Sequence, residues 1–164
     1  MFAVQTPRSG TKAELYSDLL SQARALLEGE RDATANSANL AALVFHTIPD
    51  LNWAGFYWMK GGELVLGAFQ GKPACVRIPI GKGVCGSAAR DAQTIIVDDV
   101  HQFPGHIACD SASESEIVVP LVVAGQVVGV LDLDSPKTWR FDDEDAIGLE
   151  ALVGIFIAAT DLGS

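Results

Sequence analysis

The sequence lacks several features that define common classes of protein. It has only three cysteines in 164 residues, an odd number that does not suit the disulfide framework of a small secreted protein. Basic residues are also scarce, with 11 Lys and Arg against 21 Asp and Glu, and the net charge of -10 repels nucleic acid and anionic membranes. No apolar run has the length of a membrane span, and no signal-like segment opens the chain. We therefore expect a cytoplasmic protein with neither nucleic acid nor membrane as a partner.

Several catalytic and ligand-binding motifs are absent as well. The chain has no GxSxG nucleophile elbow, no GK[ST] phosphate loop and no GxGxxG dinucleotide pattern. Cys85, His101, His106 and Cys109 offer soft metal ligands, but a structural zinc site usually has a CxxC pair, and no two cysteines here are closer than Cys75 and Cys85. We therefore predict no metal site at these residues.

The composition that is present favours one globular domain. Hydrophobic residues make up 49% of the chain and charged residues 20%. Residues 1–10 show no periodicity and are predicted to be a flexible lead-in, which leaves a single domain over residues 11–164. Thr11 and Glu14 have the spacing of a capping box, which predicts a first helix that ends near Gly29. Two further helices are predicted at about 32–46 and 142–162.

Two hairpin patterns lie between these helices. The segment NWAGFYWMK is separated from ELVLGAF by two glycines, and IVVPLVV is separated from QVVGVLDLD by an Ala-Gly pair. Helices at both ends with hairpins between them are typical of an α+β domain with a largely antiparallel sheet. We expect the N- and C-terminal helices to pack together on one face of that sheet.

The aromatic residues of the first hairpin divide between two faces. Strand alternation places Trp53 and Tyr57 on one face and Phe56 and Trp58 on the other. One pair can line a pocket while the other fills the core, and packing of all four in the core is an equal alternative.

Three carboxylates lie close to apolar strand residues. Glu116 precedes the first strand of the second hairpin, while Asp132 and Asp134 alternate with leucines and so share a face. A carboxylate beside valines needs a cation, hydrogen bonds or a proton to offset the cost of burial, and a ligand ammonium would serve. Mutual repulsion within such a cluster can also keep one member protonated near neutral pH.

The cysteines favour thiol chemistry over packing. Cys109 lies in a predicted loop among polar neighbours, and Cys75 and Cys85 flank glycine-rich turns, so none is expected inside a core strand or helix. The alternative is that all three are small buried fillers. His101 and His106 are interpreted as structural hydrogen-bonding groups, although their proximity to Cys109 leaves thiolate activation open.

Several motifs together resemble a known family. The segments VHQFPGHIACDSASESEIVVPL, GVLDLDSP, NWAGFYW and KGVCGSAA are similar to those of the free methionine-(R)-sulfoxide reductases, a branch of the GAF-domain fold. The resemblance covers roughly residues 14–160 and implies reduction of free L-methionine-(R)-sulfoxide without a cofactor. It also implies thioredoxin as the external reductant and, together with the broad apolar faces of the terminal helices, a homodimer.

The resemblance also implies roles for individual residues. Cys109 matches the nucleophile, Cys75 the cysteine that resolves it by forming a disulfide, and Cys85 the third cysteine, whose role as a second resolving thiol or a relay stays open. The acidic substrate-binding residues are matched by Glu116, Asp132 and Asp134, and the pocket for the methyl end of the substrate by Trp53 and Tyr57. The competing hypothesis is a GAF-type module that senses a small ligand without turnover.

Overall fold

A computed structural model describes residues 1–5, 10–107 and 109–163, which contain four α-helices and a six-stranded sheet. The helices are α1 (Lys12–Leu26), α2 (Ala33–Thr47), α3 (Gly83–Asp91) and α4 (Asp143–Ala159). The strands are β1 (Trp53–Lys60), β2 (Glu63–Gly71), β3 (Arg77–Pro79), β4 (Ile95–Val97), β5 (Ser115–Val123) and β6 (Gln126–Ser135). A short 3-10 turn (Val100–Gln102) follows β4. The predicted α+β class is confirmed.

The sheet is antiparallel at every pair of neighbouring strands described. Its order is β3-β2-β1-β6-β5-β4, so the two predicted hairpins, β1-β2 and β5-β6, lie side by side at its centre. Gly61 and Gly62 turn the first hairpin with φ of 61° and 84°, and Ala124 and Gly125 turn the second with φ of 49° and 78°. Both turns have the left-handed conformation that matches the twist of a two-residue hairpin.

The two faces of the sheet carry different layers. Helices α1, α2 and α4 pack on one face, where their apolar side chains form the larger core with Phe56, Ile117, Leu131 and Leu133. Helix α3 packs on the other face against a smaller cluster that includes Trp53. The end helices therefore share one face, as predicted, and the second face is left for α3 and the loop that follows β4.

Local sequence signals set the ends of the helices. Thr11 accepts a hydrogen bond from the Glu14 backbone N–H at 3.2 Å, and Glu14 accepts one in return from the Thr11 N–H, which confirms the capping box. Asp142 caps α4 in the same way, with Asp145 as its reciprocal partner. Each predicted helix is thus found, with its ends shifted by one to three residues.

The side chain of Asp145 joins the two terminal helices. It is fully buried, accepts a hydrogen bond from the Tyr16 hydroxyl at 2.8 Å and pairs with the Lys12 ammonium at 2.6 Å. Burial raises the pKa of Tyr16 above its ordinary value, and the adjacent Asp145 adds to the shift. The phenol therefore stays protonated and keeps donating to Asp145.

Close packing of α1 on α4 yields a stability prediction. Gly148 is buried in α4, and a Cβ built there would overlap the ring of Tyr16. Because the Tyr16 hydroxyl is bonded to Asp145, the ring cannot withdraw freely. We expect Gly148→Ala to lower the free energy of unfolding by about 2 kcal/mol, a fall of roughly 4 to 8 °C in Tm, measured by urea and thermal unfolding.

Gly154 supplies the matched control in the same helix. It is exposed, and a Cβ there would meet no atom within 4 Å. Gly154→Ala should therefore stabilise the protein by up to about 1 kcal/mol, as expected for an exposed helix interior. Equal effects of the two substitutions would show that the contact with Tyr16 does not limit packing at Gly148.

The domain boundaries stay a prediction. Residues 6–9 of the predicted lead-in and Ser164 at the end of the predicted domain lie outside the described residues. Before them, Gln5 exchanges two hydrogen bonds with the Gln22 side chain of α1, at 2.9 and 3.2 Å. In the described part of the chain, none of the helices is both long and apolar enough to cross a bilayer.

Candidate active site

A cavity of about 40 Å³ lies on the face of the sheet that carries α3. The central strands form its floor, α3 forms one wall, and the loop between β4 and β5 covers it. Its lining contains seven of the eight predicted site residues: Trp53, Tyr57, Cys85, Cys109, Glu116, Asp132 and Asp134. The eighth, Cys75, is bonded to Cys109. The structure thus brings together residues that are up to 81 positions apart in the sequence, from Trp53 to Asp134.

Cys75 and Cys109 are joined by a disulfide at the edge of this cavity. Their Cα atoms are 5.4 Å apart, and 34 positions separate them in the sequence. Cys75 lies just before β3, whereas Cys109 lies in the loop that follows the 3-10 turn. The disulfide that the family resemblance implies is therefore present. Ala108, within the HIACD motif, lies outside the described residues.

Cys85 is a free thiol with a different environment. We predicted that it lies outside a helix interior, but it occupies the first turn of α3, is only 4% exposed and packs in the smaller core. Its Sγ–H points towards Glu116 Oε1, with the two atoms 3.9 Å apart. Burial, with Asp132 and Glu116 nearby, raises the pKa of Cys85 well above its ordinary value, so this thiol keeps its proton near neutral pH.

The three predicted carboxylates project from β5 and β6 into the same cavity. Glu116 lies within β5 rather than before it, and the register pairs it directly with Asp134 of β6. Glu116 and Asp132 are each only 6% exposed. Such close placement of like charges across two strands is unfavourable unless protons or a cation neutralise part of the cluster.

The same placement shifts the pKa values of all three acids upward. Burial and then Asp132 and Asp134 raise the pKa of Glu116 well above its ordinary value, and burial raises that of Asp132 to about 6. Burial and then Asp132 raise the pKa of Asp134. Near neutral pH the cluster therefore retains protons that isolated carboxylic acids would have lost.

These shifts predict how stability depends on pH. A carboxyl whose pKa is higher in the folded chain binds its proton more tightly there, so its stabilising contribution is complete below the unfolded pKa, near 4, and is lost as the pH rises through the folded pKa. For Asp132 that window extends to about pH 6. We expect the Tm of the protein to fall as the pH rises from 4 to 8, and Asp132→Asn to reduce the part of this fall between about pH 4 and 6, with a gain on the order of 3 kcal/mol at pH 8.

Glu28→Gln is the control for this measurement, because Glu28 is an exposed acid beyond the end of α1 and outside the cavity. It should leave the slope of Tm against pH unchanged. A parallel slope in Asp132→Asn would mean that Asp132 is ionised in the folded protein over the whole range.

An aromatic wall closes the other side of the cavity. Trp53 stacks on Tyr57 and on Phe69, with ring centroids 5.9 and 5.3 Å apart. Gly55 leaves room for this stack, because a side chain there would overlap both Trp53 and Phe69. Trp53 Nε1 donates to the Lys72 carbonyl at 3.1 Å, and the Tyr57 hydroxyl donates to the Cys75 carbonyl at 3.0 Å. The predicted division of faces is confirmed, because Phe56 and Trp58 pack in the larger core.

The two histidines of the loop have different positions. His101 is exposed and lies 3.2 Å from Glu114, outside the cavity. His106 is largely buried in the cavity wall, with Nε2 3.8 Å from Glu116 Oε2. Burial lowers the pKa of His106, and His101 adds to the shift, so the ring is neutral near pH 7. Sequence reasoning set both histidines aside together, and only the loop conformation distinguishes them.

A polar network that the sequence did not reveal anchors the loop below Cys109. The Asn52 side-chain amide donates to Asp110 Oδ2 at 3.0 Å and to Ser113 Oγ at 3.1 Å. The Ala112 N–H donates to Asp110 Oδ1 at 2.8 Å, and this bond is the main cause that lowers the pKa of Asp110. The network fixes the segment between Cys109 and β5 against the start of β1.

The beginning of α3 contributes the remaining wall. Gly83, with φ of 61°, begins the helix after Lys82, and both residues line the cavity. The first backbone N–H groups of a helix and the positive end of its dipole suit an anionic group. The cavity therefore offers an apolar aromatic side, an acidic floor and a positively polarised edge.

Comparison with known proteins agrees with this arrangement. The profile described as "GAF domain" matches residues 34–159. The chain is 55% identical over 142 residues to the free methionine-R-sulfoxide reductase of Escherichia coli, and the alignment covers 87% of this chain and 86% of the relative. It is 44% identical over 149 residues to the free methionine-R-sulfoxide reductase of Saccharomyces cerevisiae, with coverage of 86% and 83%.

A solved structure extends the likeness to three dimensions. The free methionine-R-sulfoxide reductase of Neisseria meningitidis, solved in complex with its substrate, superposes with a TM-score of 0.93 at 43% identity. The match covers 97% of this chain and 95% of that one.

Proposed function

Because the chain belongs to the free methionine-R-sulfoxide reductases of the GAF-domain family and is an oxidoreductase, we propose that it reduces free L-methionine-(R)-sulfoxide to L-methionine with its own thiols. One observation carries the proposal: the Cys75–Cys109 disulfide borders a cavity floored by three carboxylates. A disulfide is the product of the reaction, and the acidic floor suits an amino-acid substrate.

The first step is attack by the Cys109 thiolate on the sulfoxide sulfur. The sulfur–oxygen bond of the substrate breaks, methionine leaves as a thioether, and the oxygen remains on Cys109 as a sulfenic acid. The Cys75 thiol then displaces that oxygen as water and forms the disulfide. Two electrons pass from the two thiols to the substrate, so the step balances without a metal or organic cofactor.

The departing oxygen needs a proton, and Glu116 is our proposed source. Its raised pKa keeps the carboxyl protonated near neutral pH, as general acid catalysis requires. The protonated Cys85 thiol donates to Glu116 Oε1 with Sγ 3.9 Å from that oxygen, and neutral His106 lies on the other side of the carboxyl, with Nε2 3.8 Å from Oε2. In this proposal Cys75 is the resolving thiol, and Cys85 acts by positioning Glu116.

The same cavity explains the choice of a free amino acid. Asp134 and Asp132 bind the α-ammonium, which a methionine within a polypeptide does not have. The substrate carboxylate faces the first N–H groups of α3 and Lys82. The methyl end packs on Trp53 and Tyr57, whose stacked rings form the apolar wall.

The size of the cavity supports a proposal about the order of reduction and substrate binding. The cavity is narrow in the disulfide form, with room for roughly three water molecules. Ile107 and Cys109 line the cavity from the covering loop, and the disulfide ties that loop to Cys75. Reduction frees the loop, so we propose that the substrate binds only to the reduced protein.

Thioredoxin is the proposed reductant, and the protein is proposed to act as a homodimer. Cys75 precedes the exposed Val76, which has 63% of its surface accessible, and this segment gives an external dithiol access to the disulfide.

Ile147 is 68% exposed on α4 and is the apolar position we expect at the subunit interface of the proposed homodimer. Light scattering coupled to gel filtration measures the assembly.

The test is NADPH consumption in an assay coupled to thioredoxin and thioredoxin reductase. Free L-methionine-(R)-sulfoxide, its (S) epimer and an N-acetylated (R) substrate are offered separately. We expect turnover of the (R) form alone, because acetylation removes the ammonium. No turnover of any substrate with verified free thiols would overturn the proposal and favour a ligand-sensing module.

A further inference from the structure

We infer that Cys85, Glu116 and Asp132 form a binding site for a thiophilic divalent cation, Zn²⁺ in particular, at the floor of the cavity. This site differs from the set of Cys85, His101, His106 and Cys109 that the sequence made us consider and set aside. Strand pairing and the first turn of α3 create it, since the three residues come from β5, β6 and α3.

The geometry is close to that of a zinc site. One ligand atom from each residue lies within 4.8 Å of the other two, and Cys85 Sγ is 3.9 Å from Glu116 Oε1. Ligand atoms at about 2.1 to 2.3 Å from a tetrahedral zinc ion are about 3.5 Å from one another. Closure around an ion therefore requires side-chain shifts of about 1 Å or less.

An unpartnered buried oxygen points to a missing positive charge. Asp132 is only 6% exposed and borders the cavity, and its Oδ1 accepts no hydrogen bond from a backbone, amide, hydroxyl or basic group of the described residues. Its polar neighbours are the Glu116 carboxyl and the Cys85 thiol, which are themselves candidate ligands. Buried carboxylates are normally hydrogen-bonded, paired or bound to a metal. A cation held between Asp132, Glu116 and Cys85 would satisfy this oxygen and offset the like charges.

The ligand chemistry selects the metal class. The site offers a thiolate and two carboxylates, and His106 Nε2, 3.8 Å from Glu116 Oε2, can supply a neutral nitrogen as a fourth ligand. Sulfur, nitrogen and oxygen together are typical of zinc, whereas Mg²⁺ and Ca²⁺ prefer oxygen ligands throughout. On binding, the protons of Cys85 and Glu116 pass to the solvent, because zinc binds the deprotonated groups.

Occupancy of this site has a consequence for activity, which rests on the proposed function. The ion would bind Asp132, which we assign to the substrate ammonium, and Glu116, which we assign to proton donation. Zn²⁺ should therefore inhibit the reductase reversibly and in competition with methionine sulfoxide, and a chelator should restore turnover.

The metal site is tested without turnover in the disulfide form of the protein. With Cys75 and Cys109 bonded, Cys85 is the one free thiol of the three cysteines, which a thiol count under denaturing conditions verifies. Titration with Co²⁺ should produce near-ultraviolet sulfur-to-cobalt charge-transfer absorption at one ion per chain. Zn²⁺ should then displace the cobalt and remove the absorption.

Two variants identify the ligands. Cys85→Ser should lose the charge-transfer absorption, and Asp132→Asn, which keeps the thiol, should weaken Co²⁺ binding on the order of 10- to 100-fold. Circular dichroism verifies that both variants are folded. If Cys85→Ser does not fold, the cobalt affinity of Asp132→Asn tests the site. His101→Ala is the matched control, because the more exposed group of Asp99, His101 and Glu114 is the other candidate cation site among the described residues.

Retained absorption in His101→Ala supports the inference. Cobalt binding without charge-transfer absorption, or binding that is lost in His101→Ala and kept in Asp132→Asn, would overturn it. Because these readouts do not involve methionine sulfoxide, they stand whether or not the protein turns that substrate over.

Discussion

Cys109→Ser should abolish turnover of free L-methionine-(R)-sulfoxide, with a fall in kcat/KM of at least about 10³-fold, because a serine hydroxyl is neither ionised near neutral pH nor a strong nucleophile towards sulfur. The substitution changes one atom at the edge of the cavity and removes the disulfide to Cys75. Methionine formation measured by chromatography reports the chemistry directly, without the coupling proteins. Retained turnover would remove Cys109 from the role of nucleophile.

Cys75→Ser provides the contrast that separates attack from resolution. Here the Cys109 thiol is intact, so the reduced variant should still form about one methionine per chain in a single turnover. Steady-state turnover with thioredoxin should fall to a small fraction of the wild-type rate. The sulfenic acid on Cys109 would lack the Cys75 thiol, its disulfide partner in the structure. Full steady-state activity in Cys75→Ser would assign resolution to Cys85 instead.

Asp134→Asn should raise KM by about 10- to 100-fold, the loss expected when a buried charged partner of an ammonium becomes neutral. Asparagine keeps the shape of the side chain and can still accept a hydrogen bond, so the change is in charge more than in packing. In the proposed role the ammonium is bound equally in the ground and transition states, so kcat should change much less than KM. Initial rates over a range of substrate concentrations make the distinction.

Two comparisons sharpen this result. Glu116→Gln should lower kcat more than it changes KM, because in the proposed mechanism the proton of Glu116 passes to the oxygen only as the sulfur–oxygen bond breaks. Glu114→Gln is the control, since Glu114 lies two positions before Glu116 in the sequence but pairs with exposed His101 outside the cavity. If Asp134→Asn had the same KM as Glu114→Gln, Asp134 would not bind the ammonium.

The local parts of the fold could be predicted from short stretches of sequence. Thr11 and Glu14 mark the start of α1, and Gly61 and Gly62 turn the first hairpin, because a cap or a tight turn depends on residues only a few positions apart. Strand alternation is equally local, which explains why Trp53 and Tyr57, and separately Asp132 and Asp134, were assigned to common faces.

The site itself was only partly visible in the sequence. Its acids and its disulfide pair followed from strand alternation and from the resemblance of the motifs to a family. Cys85 was misjudged, because the glycines around it suggested a loop, whereas α3 begins at Gly83 and buries the thiol. Asn52 went unrecognised because its partner Asp110 is 58 positions away. His106 was placed outside the catalytic set because its neighbour Glu116 is 10 positions away, across a loop of no regular period.

The sequence alone therefore determined the elements, the pattern of faces and the family, since these depend on local spacing and on recognisable motifs. Tertiary structure decided which side chains meet and what charge they carry. The register of β5 against β6 places Glu116 opposite Asp134, and α3 brings the Cys85 thiol to the same point. Burial in that shared space raises the pKa of each group, and this effect arises only when the low-dielectric interior has formed around them.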